Sequence, residues 1–329
     1  MIYLLIASLL WSFSFGLIRH YLVDVDSNVV AFIRLSISFL LFLPFLRWRG
    51  VRLALILKLM FLGAVQYGLM YMFYIRSYHY LAGYQVAMFT IFTPFFVSII
   101  YDLMQRRFHA GYLLAALLAV AGTAFIVWNQ HDVRGALIGV ILVQLANLCF
   151  AFGQVGYRGA SVEGAHLGWS ARIHALGLRG APSTCAGSFG KRDAFGDVAS
   201  GEGVGSVFGD ARLFGYMYFG AVLVTGAFCG ATTEWHSFSL SRVQVLVLVY
   251  LGILPSGLAF FLWNVGAKRV NAGVLAVFNN FKVPLAIIVS LVVFGENMNV
   301  DLSHLLIGGG AIVASLVFAK FHHTTTQDS

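Results

Sequence analysis

"AVFNNFKVPLAIIVSLVVFGE", residues 276–296, is apolar enough to cross a bilayer, yet it carries Asn279, Asn280 and Lys282 in its first third. A charged side chain at the bilayer centre costs roughly 2.5–3.5 kcal/mol on insertion scales, so such residues turn towards protein or water. The stretch therefore predicts a transmembrane helix with one polar face. Lys282 falls about halfway along the span 271–294 that this stretch belongs to, and Asn279, Ala272, Ala276, Ala286 and Ser290 share its side at helical spacing. That side suits either a water-accessible lumen or a structural tie between lysine and carbonyls.

The rest of the chain agrees with a membrane setting. Of 329 residues, 60% are apolar and only 10% charged, against about 25% charged in soluble domains. The net charge of +8 does not read as nucleic-acid binding, because the basic residues sit between long apolar runs and not among aromatics on a polar face. Cys149, Cys185 and Cys229 lie far apart, without the spacing of a disulfide framework or a zinc site. No metal or cofactor is expected. The start, "MIYLLIASLLWSFSFGLIRHYL", lacks a basic leader and a small-x-small cleavage site, and reads as a retained first span.

Hydropathy gives ten candidate helices, near 2–22, 29–46, 55–78, 82–102, 111–129, 135–157, 213–233, 243–266, 271–294 and 303–321. Lipid cannot satisfy bare backbone amides, so apolar runs of this length are helices, and the alternation of a β-barrel is missing. With the N-terminus inside, fifteen Lys and Arg fall in inside segments and four outside, while Arg34 and Lys282 lie within spans. The positive-inside bias places both termini in the cytoplasm and the protein in the inner (plasma) membrane.

The halves resemble each other. "LAGYQVAMFTIFTPF" (81–95) aligns with "NAGVLAVFNNFKVPL" (271–285), and "FLGAVQYG" (61–68) with "YLGILPSG" (250–257). "ASLLWSFSFGLIR" (7–19) aligns with "ANLCFAFGQVGYR" (146–158). Five spans per copy is an odd number, so the second copy enters the membrane from the opposite side. Inverted repeats of this kind place a substrate site near mid-membrane and work by alternating access.

Trp11 in the first span, Arg34 in "FIRLSISF", Gly83 with Pro94, Gly273 with Pro284, and "FGE" at 294–296 together resemble the EamA-type members of the drug/metabolite transporter superfamily. The resemblance covers nearly all of the chain outside 159–212. It implies a ten-helix all-α fold with the pathway lined by spans 1, 3, 4, 6, 8 and 9, and small metabolites as cargo, with a leaning towards export. One departure stands out: many members have Glu just before the ninth-span proline, where this chain has Val283 following Lys282.

The expected organisation is a first five-helix repeat at 1–130 and a second at 131–158 and 213–322. A disordered cytoplasmic insertion fills 159–212, where Gly, Ala and Ser dominate without periodicity, and a cytoplasmic tail follows at 323–329.

Other polar groups extend the pathway reading. Tyr67, Tyr71, Tyr74 and Tyr78 form one stripe on the third span, suited to a lumen or to helix packing. Gln144 and Asn147 on the sixth span, with Gln154, face Ser8, Trp11 and Ser12 on the first; such groups line a pathway or hold helices together for roughly 0.6–2 kcal/mol each. Trp263 would contact the cargo's apolar part. Pro94, Pro255 and Pro284 fall inside spans and permit kinks for gating or static packing. Arg34 lies a turn or so inside the outer face and reads as structural, either snorkelling or clamping the bundle, and "IGGGAIVAS" (307–315) suits close packing or a homodimer contact.

A cationic, amide-lined, aromatic pocket suits a small carboxylate-bearing amphiphile, such as an amino acid or related metabolite. Lys282 would meet the carboxylate or, in a variant, carry the coupling proton. The alternative is a membrane-embedded enzyme, sensor or structural protein. The sequence shows no HExxH, no clustered His and Asp and no nucleophile elbow. It also shows no phosphate-binding GxxxxGK[ST], so flux would follow a gradient.

Overall fold

The first helix wears its polar residues on the inside. Ser8, Ser12 and Ser14 are buried beside Leu4, Trp11 and Phe15, while Leu9 and Phe13 are each 41% exposed. Hydroxyls pack inward and large apolar side chains face outward, as hydrocarbon surroundings demand. The same inversion recurs where Leu246 and Val292 are exposed and Asn264 and Ser290 are buried.

The computed structural model describes residues 1–46, 51–104, 133–175, 204–234, 239–267, 272–295, 307 and 310. Within them every regular element is helical. In chain order these are α1 (Ile2–Tyr21), α2 (Ser27–Phe42), α3 (Leu53–Ser77), and α4, which runs as Gly83–Phe89, a 3-10 turn at Thr90–Phe92 and Thr93–Met104. They continue as α5 (Val133–Ala175), α6 (Val204–Thr232), α7 (Arg242–Ala267) and α8 (Ala272–Ile288, ending in a π turn at Val289–Val293). Among the described residues, α1, α2, α3, α5, α6 and α7 are long and apolar enough to cross a membrane, and shorter apolar stretches lie at Gly83–Val97 and Phe278–Val293. These eight helices correspond to expected spans 1–4 and 6–9. Span 5, all of span 10 but residues 307 and 310, and the tail at 323–329 lie outside the described residues, as does most of the small-residue stretch 307–315.

Two helices run into the expected insertion at 159–212. α5 continues past Arg158 to Ala175, and α6 already begins at Val204; 176–203 lies outside the described residues. Adding residues to an existing helix avoids the cost of nucleation, and Ala160, Glu163, Ala165, Leu167, Ala171 and Arg172 are acceptable helix formers.

Local chemistry sets the helix starts. Asp26 caps α2 by accepting from the amides of Asn28 (2.7 Å) and Val29 (3.2 Å). Ser241 and Gln244 cap α7 reciprocally: the Ser241 hydroxyl accepts from the Gln244 amide at 3.2 Å, and the Gln244 side chain accepts from the Ser241 amide at 2.9 Å.

α1 packs against α4, α7 and α8, α2 against α6 and α7, and α3 against α5 and α6. The α3–α6 contact is a backbone approach: a Cβ added at Gly63 would lie 2.0 Å from the Met217 carbonyl oxygen, and one at Gly220 would lie 2.0 Å from that of Met60. Only glycine permits helices to meet so closely.

Two interruptions fall in stretches whose sequences align with each other. α3 carries a π-helical segment at Ala64–Leu69 and α7 another at Gly252–Ala259, within the aligned stretches 61–68 and 250–257. Pro255 lies inside the second. Pro94 follows the 3-10 turn of α4, whereas Pro284 sits within continuous helix. Such interruptions expose carbonyls that need new donors, and those donors build the site.

Candidate functional site

A cavity lies where α1, α3, α4, α5, α7 and α8 converge, with one contribution from α2. It leaves ≈ 70 Å³ for the centres of water-sized spheres, several times the roughly 10–15 Å³ that one water needs. Lys282 lines it, and its side chain is only 9% exposed overall. The lysine of the opening stretch is thus enclosed by protein, while its neighbour Phe281 is 40% exposed. The ammonium donates to the Asn279 amide oxygen at 3.5 Å and stands 5.1 Å from the Trp11 ring centre.

The opposite cation is Arg34. It is 1% exposed and also lines the cavity. Its Nε and Nη2 donate to the Ser256 hydroxyl at 3.2 and 3.0 Å, and Nη2 also donates to the Tyr71 hydroxyl at 3.2 Å. The guanidinium lies 4.4 Å from the Tyr71 ring centre, and among the described residues Nη1 has no hydrogen-bond partner. Among the described residues neither Asp nor Glu lines the cavity. It is therefore electropositive and aromatic.

The π segment of α7 anchors this arrangement. Its carbonyls are taken up by side chains from three other helices: Trp11 Nε1 donates to Pro255 at 3.0 Å, the Ser38 hydroxyl to Gly252 at 2.8 Å, and the Tyr218 hydroxyl to Ser256. Trp11 also packs on Phe260 and Trp263, with ring centres 4.9 and 5.2 Å away.

A neutral polar wall comes from the break in α4. Pro94 cannot donate to the carbonyl of Thr90, and the Thr93 hydroxyl does so instead at 2.8 Å. Asn147 on α5 donates to the Phe89 carbonyl at 2.9 Å and accepts from Thr93 at 3.1 Å. Gln144 supports it, its oxygen accepting from Asn147 at 3.1 Å.

Of the expected pathway residues, Trp11, Tyr71, Tyr74, Asn147 and Lys282 line the cavity. Tyr67, Ser12, Asn279 and Trp263 are buried but do not line the cavity, nor does the partly buried Gln144. Tyr67 stacks on Tyr218 with centres 4.9 Å apart. Ser12 donates to the Leu9 carbonyl of its own helix at 2.7 Å. Asn280 is partly exposed and contacts Asn279 at 3.5 Å.

The residues that sequence reasoning passed over are Ser14, Phe15, Met70, Thr90, Thr93, Ala146, Phe150 and Phe260, with Arg34 assigned to structure alone. Phe150 was within reach: the alignment of 7–19 with 146–158 pairs it with Trp11. Among the described residues no group of His, Cys, Asp and Glu could hold a metal ion.

Comparison with known proteins places this architecture. The model of the EamA-like transporter family matches residues 1–128 and 196–320. The chain belongs to the EamA-like transporter family. It is therefore a multi-pass membrane protein of the drug/metabolite transporter superfamily, a transporter family of small metabolites. Among curated relatives of this EamA protein, the "Probable biotin transporter" of Pseudomonas aeruginosa is 35% identical over 322 residues, 95% of each chain. The "Biotin transporter" of Salmonella typhimurium is 33% identical over 95% of this chain and 90% of its own. That of Escherichia coli K12 is 34% identical over 89% and 84%. A solved crystal structure superposes on 97% of this chain and 96% of its own with a TM-score of 0.58 at 17% identity, a likeness of fold alone.

Proposed function

We propose that this EamA protein carries a small monocarboxylate amphiphile, biotin or a close analogue, across the cytoplasmic membrane by alternating access between two inverted five-helix halves. The observation that carries this reading is the cavity itself: two buried cations, Arg34 and Lys282, face an aromatic space that no acidic residue lines among the described residues. Buried charges seek partners, and a substrate anion supplies one.

Biotin joins a carboxylate to a compact apolar bicycle with a ureido group. The cationic wall offsets the carboxylate, Trp11, Phe150 and Phe260 cover the bicycle, and Asn147 with Thr93 offers amide and hydroxyl partners to the ureido end. An amino acid fits less well, because its ammonium group would meet two cations and no carboxylate. The names of the curated relatives support the same class.

Both termini lie in the cytoplasm on this account, and net flux follows whichever gradient is imposed. The test is flux of labelled biotin into proteoliposomes, with and without a pH gradient. Saturable uptake that excess unlabelled biotin abolishes, and that Lys282→Ala reduces, is the expected result. Flux no greater than in protein-free vesicles, with saturable uptake of a non-carboxylate solute instead, overturns it. Lys282→Arg separates two roles for the lysine: anion transport persists if the ammonium only binds, and pH-driven flux is lost if it carries the proton.

A further inference from the structure

We propose that Arg34, a residue whose sequence context reads as a structural clamp, is the carboxylate-binding group of the cavity, with Tyr71 and Ser256 as its positioning residues. The inference rests on the reading of the cavity as a site for a carboxylate-bearing cargo, and assigns the two cations different tasks.

The guanidinium is fixed before any ligand arrives. Ser256 takes both Nε and Nη2, Tyr71 takes Nη2 and lays its ring 4.4 Å from the guanidinium carbon. Tyr71 and Ser256 are themselves linked at 2.9 Å, so the anchor is a closed triangle from α2, α3 and α7. Among the described residues, Nη1 alone of its nitrogens is left without a partner, on a side chain that is 1% exposed and lines the cavity. A buried donor of a charged group is expensive to leave unmade, and a guanidinium does not shed its proton to escape the cost. A ligand anion is the partner that removes it.

Lys282 lacks these properties. Its stem is flexible and its ammonium a point charge, held by Asn279 at 3.5 Å and faced by Trp11. It suits the neutral carbonyl end of the cargo, such as a ureido oxygen. The division also explains why two cations serve a ligand with one negative charge. Arg34 reads the carboxylate, and the Trp11 ring helps to offset the lysine.

The experiment compares acids with their own primary amides. Purified full-length protein is titrated with biotin and biotinamide, and with a panel of other monocarboxylates each paired with its amide, and ligand stabilisation is read as affinity. The wild type is expected to favour an acid over its amide by roughly 10- to 100-fold, the range of a charge-assisted pair. Arg34→Gln should bring that ratio to within about twofold of unity, since the lost term is the charge-assisted pair itself. Lys282→Gln should weaken acid and amide alike and preserve the ratio. Ser256→Ala, which keeps the charge but loosens the anchor, should lower the ratio part-way, a change that mere destabilisation would not produce. If Arg34→Gln does not fold, Ser256→Ala and Arg34→Lys carry the test, both with a reduced ratio.

An unchanged ratio in the Arg34 and Ser256 variants, with the ratio lost in Lys282→Gln, overturns the assignment and leaves the cargo reading intact. If the biotin pair is silent while another acid shows an Arg34-dependent preference, the biotin reading fails and the assignment stands. If no acid is preferred over its amide by the wild type, both fail.

Discussion

The Lys282 ammonium stands 5.1 Å from the centre of the Trp11 ring, and both residues line the same cavity. The tryptophan is fixed by its own bond to the Pro255 carbonyl at 3.0 Å, so it offers the lysine a stationary π face. Such contacts are worth about 0.5–2 kcal/mol, increasing with desolvation. Trp11→Ala should therefore weaken cargo binding by about 3- to 30-fold. Trp11→Phe keeps a ring but loses the indole donor, and should fall between wild type and Trp11→Ala. Equilibrium binding to purified protein measures both; equal affinities in all three would show that the ring does not position the lysine.

Asn147 holds the broken part of α4 by donating to the Phe89 carbonyl at 2.9 Å and accepting from Thr93 at 3.1 Å. Asn147→Ala takes the close donor from the buried Phe89 carbonyl, while Thr93 keeps its bond to Thr90, and the loss costs about 1–3 kcal/mol. The expected outcome is a lower thermal midpoint in detergent together with slower transport. A midpoint matching the wild type would mean that the Phe89 carbonyl finds another donor.

The α3–α6 contact gives a prediction independent of cargo. An added Cβ at Gly63 or Gly220 would meet backbone oxygen at 2.0 Å, whereas one at Gly230 would meet none of the described residues within 4 Å. Gly63→Ala and Gly220→Ala should sharply lower the yield of folded, monodisperse protein on size exclusion. Gly230→Ala should leave it unchanged. Normal yield from the first two would disprove the close approach.

Between α3 and α4, outside the spans, His79 lies 3.1 Å from the Ser27 hydroxyl. Burial, then Arg76 and Arg19, lowers its pKa below the ordinary 6.5. A histidine depressed in the folded state binds fewer protons there than when unfolded, so its contribution is present above about pH 6.5 and is lost as pH falls below that value. Partial exposure keeps the effect small. His79→Asn should flatten the fall in thermal stability below about pH 6.5, and an unaltered slope between pH 5 and 7 would exclude this role.

Much of this architecture was legible from side-chain placement. Lipid penalises polar groups so heavily that Asn279 and Lys282 had to turn inward, and they are 4% and 9% exposed. The expected pore helices are the ones that frame the cavity, joined by α2 through Arg34. Finer placement was not legible. Periodicity put Tyr67, Tyr71 and Tyr74 on one stripe, but the π segment Ala64–Leu69 changes the helix phase at Tyr67, which packs on Tyr218 while the other two reach the cavity. Arg34 was read as a clamp because its partners Tyr71 and Ser256 are 37 and 222 residues away, and no local pattern links them. Thr90 and Thr93 were missed because a hydroxyl in an apolar helix ordinarily bonds its own backbone, as both also do here.

The most direct test of the central claim is thiol labelling at two adjacent positions of α1. Ser14 lines the cavity and is buried, whereas Phe13 is 41% exposed on the outer face of the helix. Ser14→Cys and Phe13→Cys are made with Cys149, Cys185 and Cys229 replaced by serine, and treated in membranes with a charged, impermeant maleimide. The account predicts that Cys at 14 reacts, that biotin slows the reaction, and that Cys at 13 stays unlabelled in lipid. Labelling at 13 but not at 14, or labelling at 14 that no carboxylate cargo slows, would contradict a solvated binding cavity at the centre of this protein.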